Sequence, residues 1–478
     1  MINILFITHV DSYYSAFVGL ATRLGCMQSF SPAFLFPRPY PNVHEHIREC
    51  ITKGIVYKAS FPLVSGETPR PSLFRIDVFA AKVLLAVFRR LPGLGYIAKL
   101  TSLKARMISI RYELIELSPS VIILGGDIVG HDMALYIRVG HDLGIPAILL
   151  PGWMASAREP AELQLYNPDH YLRNPMNWIF CHFFPRWHFY HKGRGLIRLP
   201  AQEALALETL NLAPPLPWIL HSGFADMIGV ESEVAKNYGL REGLPSQQIL
   251  VTGSHTHDTL YKGIVERIER RRAIYDRLSL NPERPLIVCA LPPDMLYGTG
   301  GRPECEFSDY RSLVVGFLEP IQSQLGSHFL LCLHPSAKKD KLSFVADYGA
   351  IIVDEHVADL LPLADVYVSS ISATIQWAIA CSIPVINYDV YNYCYTDYSG
   401  LNGVLTLKTQ GEYIDALALM INDPSFLAAR SADQNIVAAS WGLLDGKATE
   451  RICNLLNDFA MHKVGTNKLK NELTCEFK

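Results

Sequence analysis

Between residues 329 and 389, four apolar runs of strand length alternate with segments of helical spacing: 329–333, 350–353, Val366–Ser369 and Val385–Tyr388. Strands that are apolar throughout are buried on both faces, and strands separated by helices pair in parallel. The stretch therefore specifies a doubly wound α/β domain. Its runs end in polar residues: His334-Pro335 after the first, Asp354-Glu355 after the second and Ser369-Ser370 closing the third. Ligands of open α/β sheets sit beyond the carboxyl ends of the strands, so these positions are candidates for binding.

The same rhythm occupies the first half of the chain. An apolar run at 4–8 leads through a polar loop, 9–15, into a helical pattern at 16–24, and a short run at 33–36 is stopped by Pro37. Val121–Leu124 is followed by Gly125-Gly126-Asp127 and a helical segment, 131–143; further strands are expected at 147–150, 227–232 and 249–254. One long charged helix, 258–278, leads to a fresh strand at 286–291. At 478 residues the chain exceeds one ordinary core, so two domains are expected, with the boundary where charge density and proline rise, near 254–285.

With 43 Lys+Arg against 46 Asp+Glu, the net charge of -3 gives no basis for binding nucleic acid. The first residues read as a strand and not a signal peptide, and no apolar stretch is long enough to span a bilayer. The ten cysteines are scattered singly, as in a reduced, cytoplasmic protein. Two segments mix cations with apolar or aromatic residues, 73–108 and 178–199. Each has two readings: core-packed elements with snorkelling cations, or a face that docks on the inner leaflet of the cytoplasmic membrane.

His334 sits at a strand end with its backbone held extended by Pro335, and Ser336, Lys338 and Lys339 add donors for a phosphate. Ser369, Ser370, Ser372 and Thr374 fall within six residues at a helix start, opposite His334 on a neighbouring strand. Hydroxyls and free N–H groups there build an anion site, although Ser372 alone also serves as an N-cap. Glu355 suits ribose hydroxyls or is a surface acid, and the Gly-rich loop 297–301 matches no phosphate-loop spacing. In the first half, Asp127 is the candidate general base, its two glycines leaving room for substrate; the alternative is a helix cap. His9, Asp11 and His131 share that neighbourhood. No Asp-x-Asp triplet is present, so leaving-group stabilisation is expected from His, Ser and a helix dipole, with no metal and no cofactor.

The His334-Pro335 pair, the acid some twenty positions later and Ser369-Ser370 resemble the C-terminal domain of GT-B-fold bacterial sialyltransferases, polysialyltransferases and Kdo transferases. A similar layout occurs in teichoic-acid-type glycerophosphotransferases. The resemblance implies two Rossmann-like domains facing a central cleft. His334, Ser369 and Ser370 would then grip the phosphate of a CMP-sugar and Glu355 its ribose. The first half departs from those families, which carry an acidic pair before a glycine. Residues 121–152, with Val251-Thr252-Gly253 and Asp258, instead resemble the non-hydrolysing UDP-GlcNAc 2-epimerases, which share the fold and have Gly-Asp at that place. The epimerases' Ser-Gly-Gly phosphate motif and following Glu pair are absent; Ser370-Ile371-Ser372 stands there instead. Residues 441–452 resemble the closing helix of this fold.

These resemblances imply an acceptor-binding domain at 1–255, a nucleotide-sugar domain at 256–445, and a closing helix and polar tail at 446–478. The expected activity is an inverting, metal-independent glycosyltransferase moving a nonulosonic acid or Kdo to a glycan or lipid-linked glycan acceptor. Such an enzyme would serve capsule or lipopolysaccharide assembly. A 2-epimerase-like isomerase is the alternative, and a non-catalytic sugar-nucleotide-binding protein is a third.

Overall fold

The computed structural model describes residues 1–62, 93–154, 156–296, 305–322, 326–333 and 339–475. The chain divides into two compact units. One comprises Met1–Val230, Lys236–Leu250 and Cys453–Lys478; the other comprises Glu231–Ala235 and Val251–Ile452.

In the first unit, strands β1 (Ile2–Ile7), β2 (Phe30–Phe36), β3 (Val56–Ala59), β4 (Val121–Leu124) and β5 (Ala147–Gly152) precede a hairpin, β6 (His188–His191) and β7 (Arg194–Ile197). Strands β8 (Met227–Val230) and β9 (Ile249–Val251) follow. The main sheet has the order β3-β2-β1-β4-β5-β8-β9. The pairings among β1 to β5 and β8 are parallel. Burial explains why these runs became strands: every residue of β4 is fully enclosed, as is every residue of β5. β3, which has no apolar run to announce it, is a half-exposed edge strand.

Cations that looked free in the sequence are paired. On the helix Leu94–Leu117, Arg106 donates to Glu113 and to Asp132, each at 3.1 Å, and Lys99 donates to Glu203 at 2.9 Å. The pairs to Asp132 and Glu203 tie that helix to its neighbours, so packing accounts for this part of the basic segment, while its portion before residue 93 lies outside the described residues. Residues 178–199 divide between the end of the helix Pro175–Phe183 and the hairpin. Trp187 is fully buried and its Nε1 donates to Glu208 at 2.6 Å, whereas Trp178 and Phe183 are exposed. Among the described residues, no helix is long and apolar enough to cross a membrane.

The second unit's sheet contains β10 (Leu286–Ala290), β11 (His328–Cys332), β12 (Ile351–Val353), β13 (Val366–Ser369), β14 (Val385–Tyr388) and β15 (Val404–Leu407). Its order is β12-β11-β10-β13-β14-β15, parallel throughout. The long charged helix expected before it is two helices, His255–Val265 and Arg267–Leu278. The break at Glu266 lets both halves pack on the same turn: a Cβ on Gly263 would lie 2.7 Å from Pro362, and Arg271 grips Asp365 with both Nη groups, at 2.8 and 2.6 Å.

The helix Pro424–Trp441 is held to this sheet by the fully buried Gln434, whose Nε2 donates to the carbonyls of Ile383 and Gly403, each at 3.1 Å. A Cβ on Gly403 would stand 2.3 Å from Gln434 Cγ, and the doubly bonded side chain cannot yield. Gly403→Ala is expected to cost about 2 kcal/mol, measured as a lowered urea midpoint with an unchanged slope.

Candidate functional site

Both sheets reverse their strand order at one place, between β1 and β4 in the first and between β10 and β13 in the second. Crossovers diverge at such a point and leave a crevice beyond the strand ends, where ligands of this architecture bind.

In the second unit, Cys332, Ala290, Ser369 and Asn387 form one row across β11, β10, β13 and β14. β10 therefore lies between β11 and β13, so the Ser cluster is one strand further from the end of β11 than a neighbouring-strand arrangement implies. His334 and Pro335 lie outside the described residues, as do Ser336, Lys338 and the loop 297–301.

Ser369 is fully buried and its hydroxyl donates to Ala290 O at 3.4 Å. Ser372 Oγ accepts the Thr374 amide at 3.3 Å and lies 2.7 Å from Thr374 Oγ1, which also bonds the Tyr367 hydroxyl. Ser372 and Thr374 therefore organise the first turn of the short helix Thr374–Ala380. Ser370 differs from these: its Oγ is enclosed and has no hydrogen-bond partner among the described residues. Next to it, Ile371 holds φ at +44°, and its amide donates to Asn387 Oδ1 at 2.9 Å. A β-branched residue in the left-handed region stores strain that the surrounding structure must hold. Glu355, expected at a ribose, pairs with Arg277.

In the first unit, β1 delivers His9 and β4 delivers Gly125, Gly126, Asp127 and, beyond them, His131. Asp127 is fully enclosed. Its Oδ1 accepts the Ser222 amide, and its Oδ2 accepts those of Phe224 at 2.9 Å and Ala225 at 3.3 Å. Burial pushes its pKa up while those N–H groups pull it back, leaving it raised. A carboxylate with its oxygens on backbone amides and no exposure is an anchor for the 222–225 loop, which corrects the general-base expectation. The adjacent glycines leave no space for substrate either. A Cβ on Gly125 would fall 2.3 Å from Tyr13 Cδ1, and one on Gly126 would fall 2.8 Å from Leu220 Cδ1. The glycines admit the Tyr13 ring and Leu220.

His9 and His131 do come together, with ring centroids 5.6 Å apart. His9 is 4% exposed and its Nδ1 has no partner among the described residues. Burial first, then the charges of Arg38 and His131, hold its pKa down at about 3. Desolvation of the ring, then Arg38 and Arg198, also lower that of His131. Both rings are therefore neutral near pH 7. Asp11 turns away to face His46 at 3.9 Å. The sequence reading missed Arg38, Arg198, Tyr13, Trp153 and His221. Arg38, two residues beyond β2, and Trp153, directly after β5, were open to the strand-end rule; His221 and Arg198 arrive from distant loops and carry no local signal. The Trp153 amide donates to His221 Nε2 at 2.9 Å, which places the imidazole proton on Nδ1, an enclosed atom with no acceptor.

Comparison with known structures bears on the fold. The UDP-GlcNAc 2-epimerase of Neisseria meningitidis, solved bound to UDP-GlcNAc, aligns with a TM-score of 0.52 and 12% identity, covering 96% of this chain and 100% of that one. The Methanocaldococcus jannaschii UDP-GlcNAc 2-epimerase, solved with UDP-GlcNAc and UDP, aligns with a TM-score of 0.50 and 13% identity, over 95% and 99%. The chain has the two-domain, Rossmann-like GT-B fold. A Rickettsia africae glycosyltransferase aligns more loosely, with a TM-score of 0.46 and 9% identity over 96% and 98%. No protein-family model matches the chain, and no curated protein matches it.

The buried histidines make the fold acid-sensitive. Burial lowers the His221 pKa to about 4. The unfolded chain therefore binds this proton first, and the stability present above pH 6.5 is lost as pH falls through the folded value. About 2 kcal/mol should disappear between pH 7 and pH 5 on account of His221. His221→Gln, which still accepts from the Trp153 amide, is expected to flatten that part of the urea-stability profile. Asp127→Asn turns an amide NH2 toward backbone donors and should cost about 3 kcal/mol; an unchanged urea midpoint would contradict the anchoring role.

Proposed function

We propose that the chain acts on a UDP-sugar as a 2-epimerase-type isomerase, with the phosphates of the nucleotide at the β10–β13 switch point. The observation that carries this reading is the turn Ser370-Ile371-Ser372. The lost glycines of the epimerase motif argued for glycosyl transfer. Yet Ile371 adopts φ of +44°, the region glycine enters freely, so the backbone keeps a glycine-like turn without glycine. Strain held in this way marks a site where the turn itself is needed. The unpartnered Ser370 hydroxyl beside it suits a phosphate oxygen, which would satisfy the buried donor.

The epimerases with the same fold, solved with UDP-GlcNAc or UDP, support the same direction. Inverting C2 couples loss of its proton to breaking of the C1–O bond to UDP, after which UDP adds back to C1 as a proton returns to C2 from the other face; this calls for acid–base groups and no acceptor. His334 is offered as the group that protonates the departing phosphate and takes that proton back when UDP returns.

Glycosyl transfer is the second reading, favoured by the absence of the Glu pair that follows the epimerases' phosphate motif. Under it, the donor is a nucleotide sugar, with CMP-nonulosonate or CMP-Kdo in view, and the acceptor is a glycan.

Incubation with UDP-GlcNAc alone in D2O separates the two. Isomerisation should give UDP-ManNAc carrying deuterium at C2, followed by NMR. An inert sugar, with CMP and not UDP raising the melting temperature, would overturn the isomerase assignment in favour of transfer. His334→Ala should lower turnover roughly 100-fold or more, and Ser370→Ala should weaken nucleotide binding about tenfold.

A further inference from the structure

The first unit carries a group of cations that its own acids do not neutralise. Arg198 follows β7 and is half-buried; its Nε is enclosed without a partner, and burial holds its pKa down at about 10. It makes no ion pair among the described residues, and neither does Arg38. Arg38 follows β2, which pairs with β1 as far as Ile7↔Leu35 and so ends beside His9; Leu199, next to Arg198, would lie 3.3 Å from a Cβ on Gly130, the neighbour of His131, whose ring is 5.6 Å from that of His9. The nearby acids are committed elsewhere: Asp127 to three loop amides, Asp132 to Arg106 at 3.1 Å, and Asp11 facing His46. A half-buried guanidinium without a counter-ion is costly, and a bound anion relieves that cost.

Beside this group, Tyr13 meets the His9 ring edge-on at 5.4 Å and stacks on Trp153 at 5.9 Å. Tyr13 is buried, while Trp153 is only partly covered and presents an aromatic surface at the end of β5. Cations beside an aromatic wall suit a ligand with both a charge and a ring.

We propose that this end of the first sheet binds an anionic sugar, its carboxylate or phosphate held by Arg38 and Arg198 and its ring set against Trp153. His9 and His131 then face the bound sugar as neutral hydrogen-bonding groups. The inference deepens the function proposed above, on which it depends only for which molecule carries the anion. That molecule is the acceptor of a transferase or, under the isomerase reading, a sugar acid or sugar phosphate separate from the UDP-sugar.

The test uses the full chain with glucuronate, inorganic phosphate and glucose, observed through the histidine ring resonances and by calorimetry. Glucuronate is expected to bind and to shift the His9 and His131 resonances, with glucose giving no comparable shift. Phosphate binding more tightly than glucuronate would assign the anion to a sugar phosphate, and the reverse order to a sugar acid. Arg38→Gln combined with Arg198→Gln should weaken the preferred anion at least tenfold and leave UDP affinity unchanged. Arg38→Gln alone, a change at an exposed residue, should weaken it severalfold and serves if the double variant does not fold. Anion binding that survives these substitutions, or glucose binding as well as glucuronate, overturns the proposal. Glucuronate binding without any UDP binding would leave the anion site standing and remove the sugar-nucleotide reading.

Discussion

The reversal of strand order is the constraint on which the rest of the structure depends. A parallel pair must be joined by a crossover, and a sheet built outward from its centre in both directions has one place where successive crossovers diverge. Here that place is β1–β4 in one unit and β10–β13 in the other. The unsatisfied polar atoms of His9 and Ser370 lie at these two openings, beneath which the strands themselves are closed and apolar.

Parallel sheets end in loops whose amides have no ladder to join, and the chain meets this need repeatedly with carboxylates, buried at Asp127 and Asp389 and partly covered at Asp226 and Asp365. Asp127 takes the amides of Ser222, Phe224 and Ala225, and Asp389 takes those of Tyr393 and Cys394. Asp226 receives the Ala147 amide, and Asp365 receives that of Leu286. A charged acceptor strengthens each bond, and its removal would leave enclosed donors unpaired. Asp127 and Asp389 lie beyond the carboxyl ends of β4 and β14, where catalytic acids are sought, so position alone does not separate an anchor from a base. The occupancy of the carboxylate oxygens does, and for Asp127 both are taken.

At the second switch point, backbone strain replaces a missing residue type. Ile371 adopts a conformation suited to glycine, and Asn387 ties its amide in place from the adjacent strand. Composition argued that the glycine-dependent turn was gone; the dihedral angle shows a glycine-like turn held by its neighbours. In the first unit, desolvation keeps His9 neutral beside the charge of Arg38 and His131 neutral beside those of Arg38 and Arg198, so the positive charge there belongs to the guanidinium groups.

The sequence by itself determined the two α/β units, nearly every strand of their sheets, the placement of His9 and Ser369–Ser370 at strand ends and that of His131 at a helix start, because continuous apolar runs and their polar terminators are local signals. Partners brought in from far along the chain were not legible. Nothing near Asp127 in sequence announces the 222–225 loop that occupies it, or the Tyr13 ring that fills the space over its glycines. Arg198 and His221 reach the first site only through tertiary packing. Which polar groups are already satisfied, and which are left for a ligand, depends on such long-range contacts, and only the tertiary structure decided it.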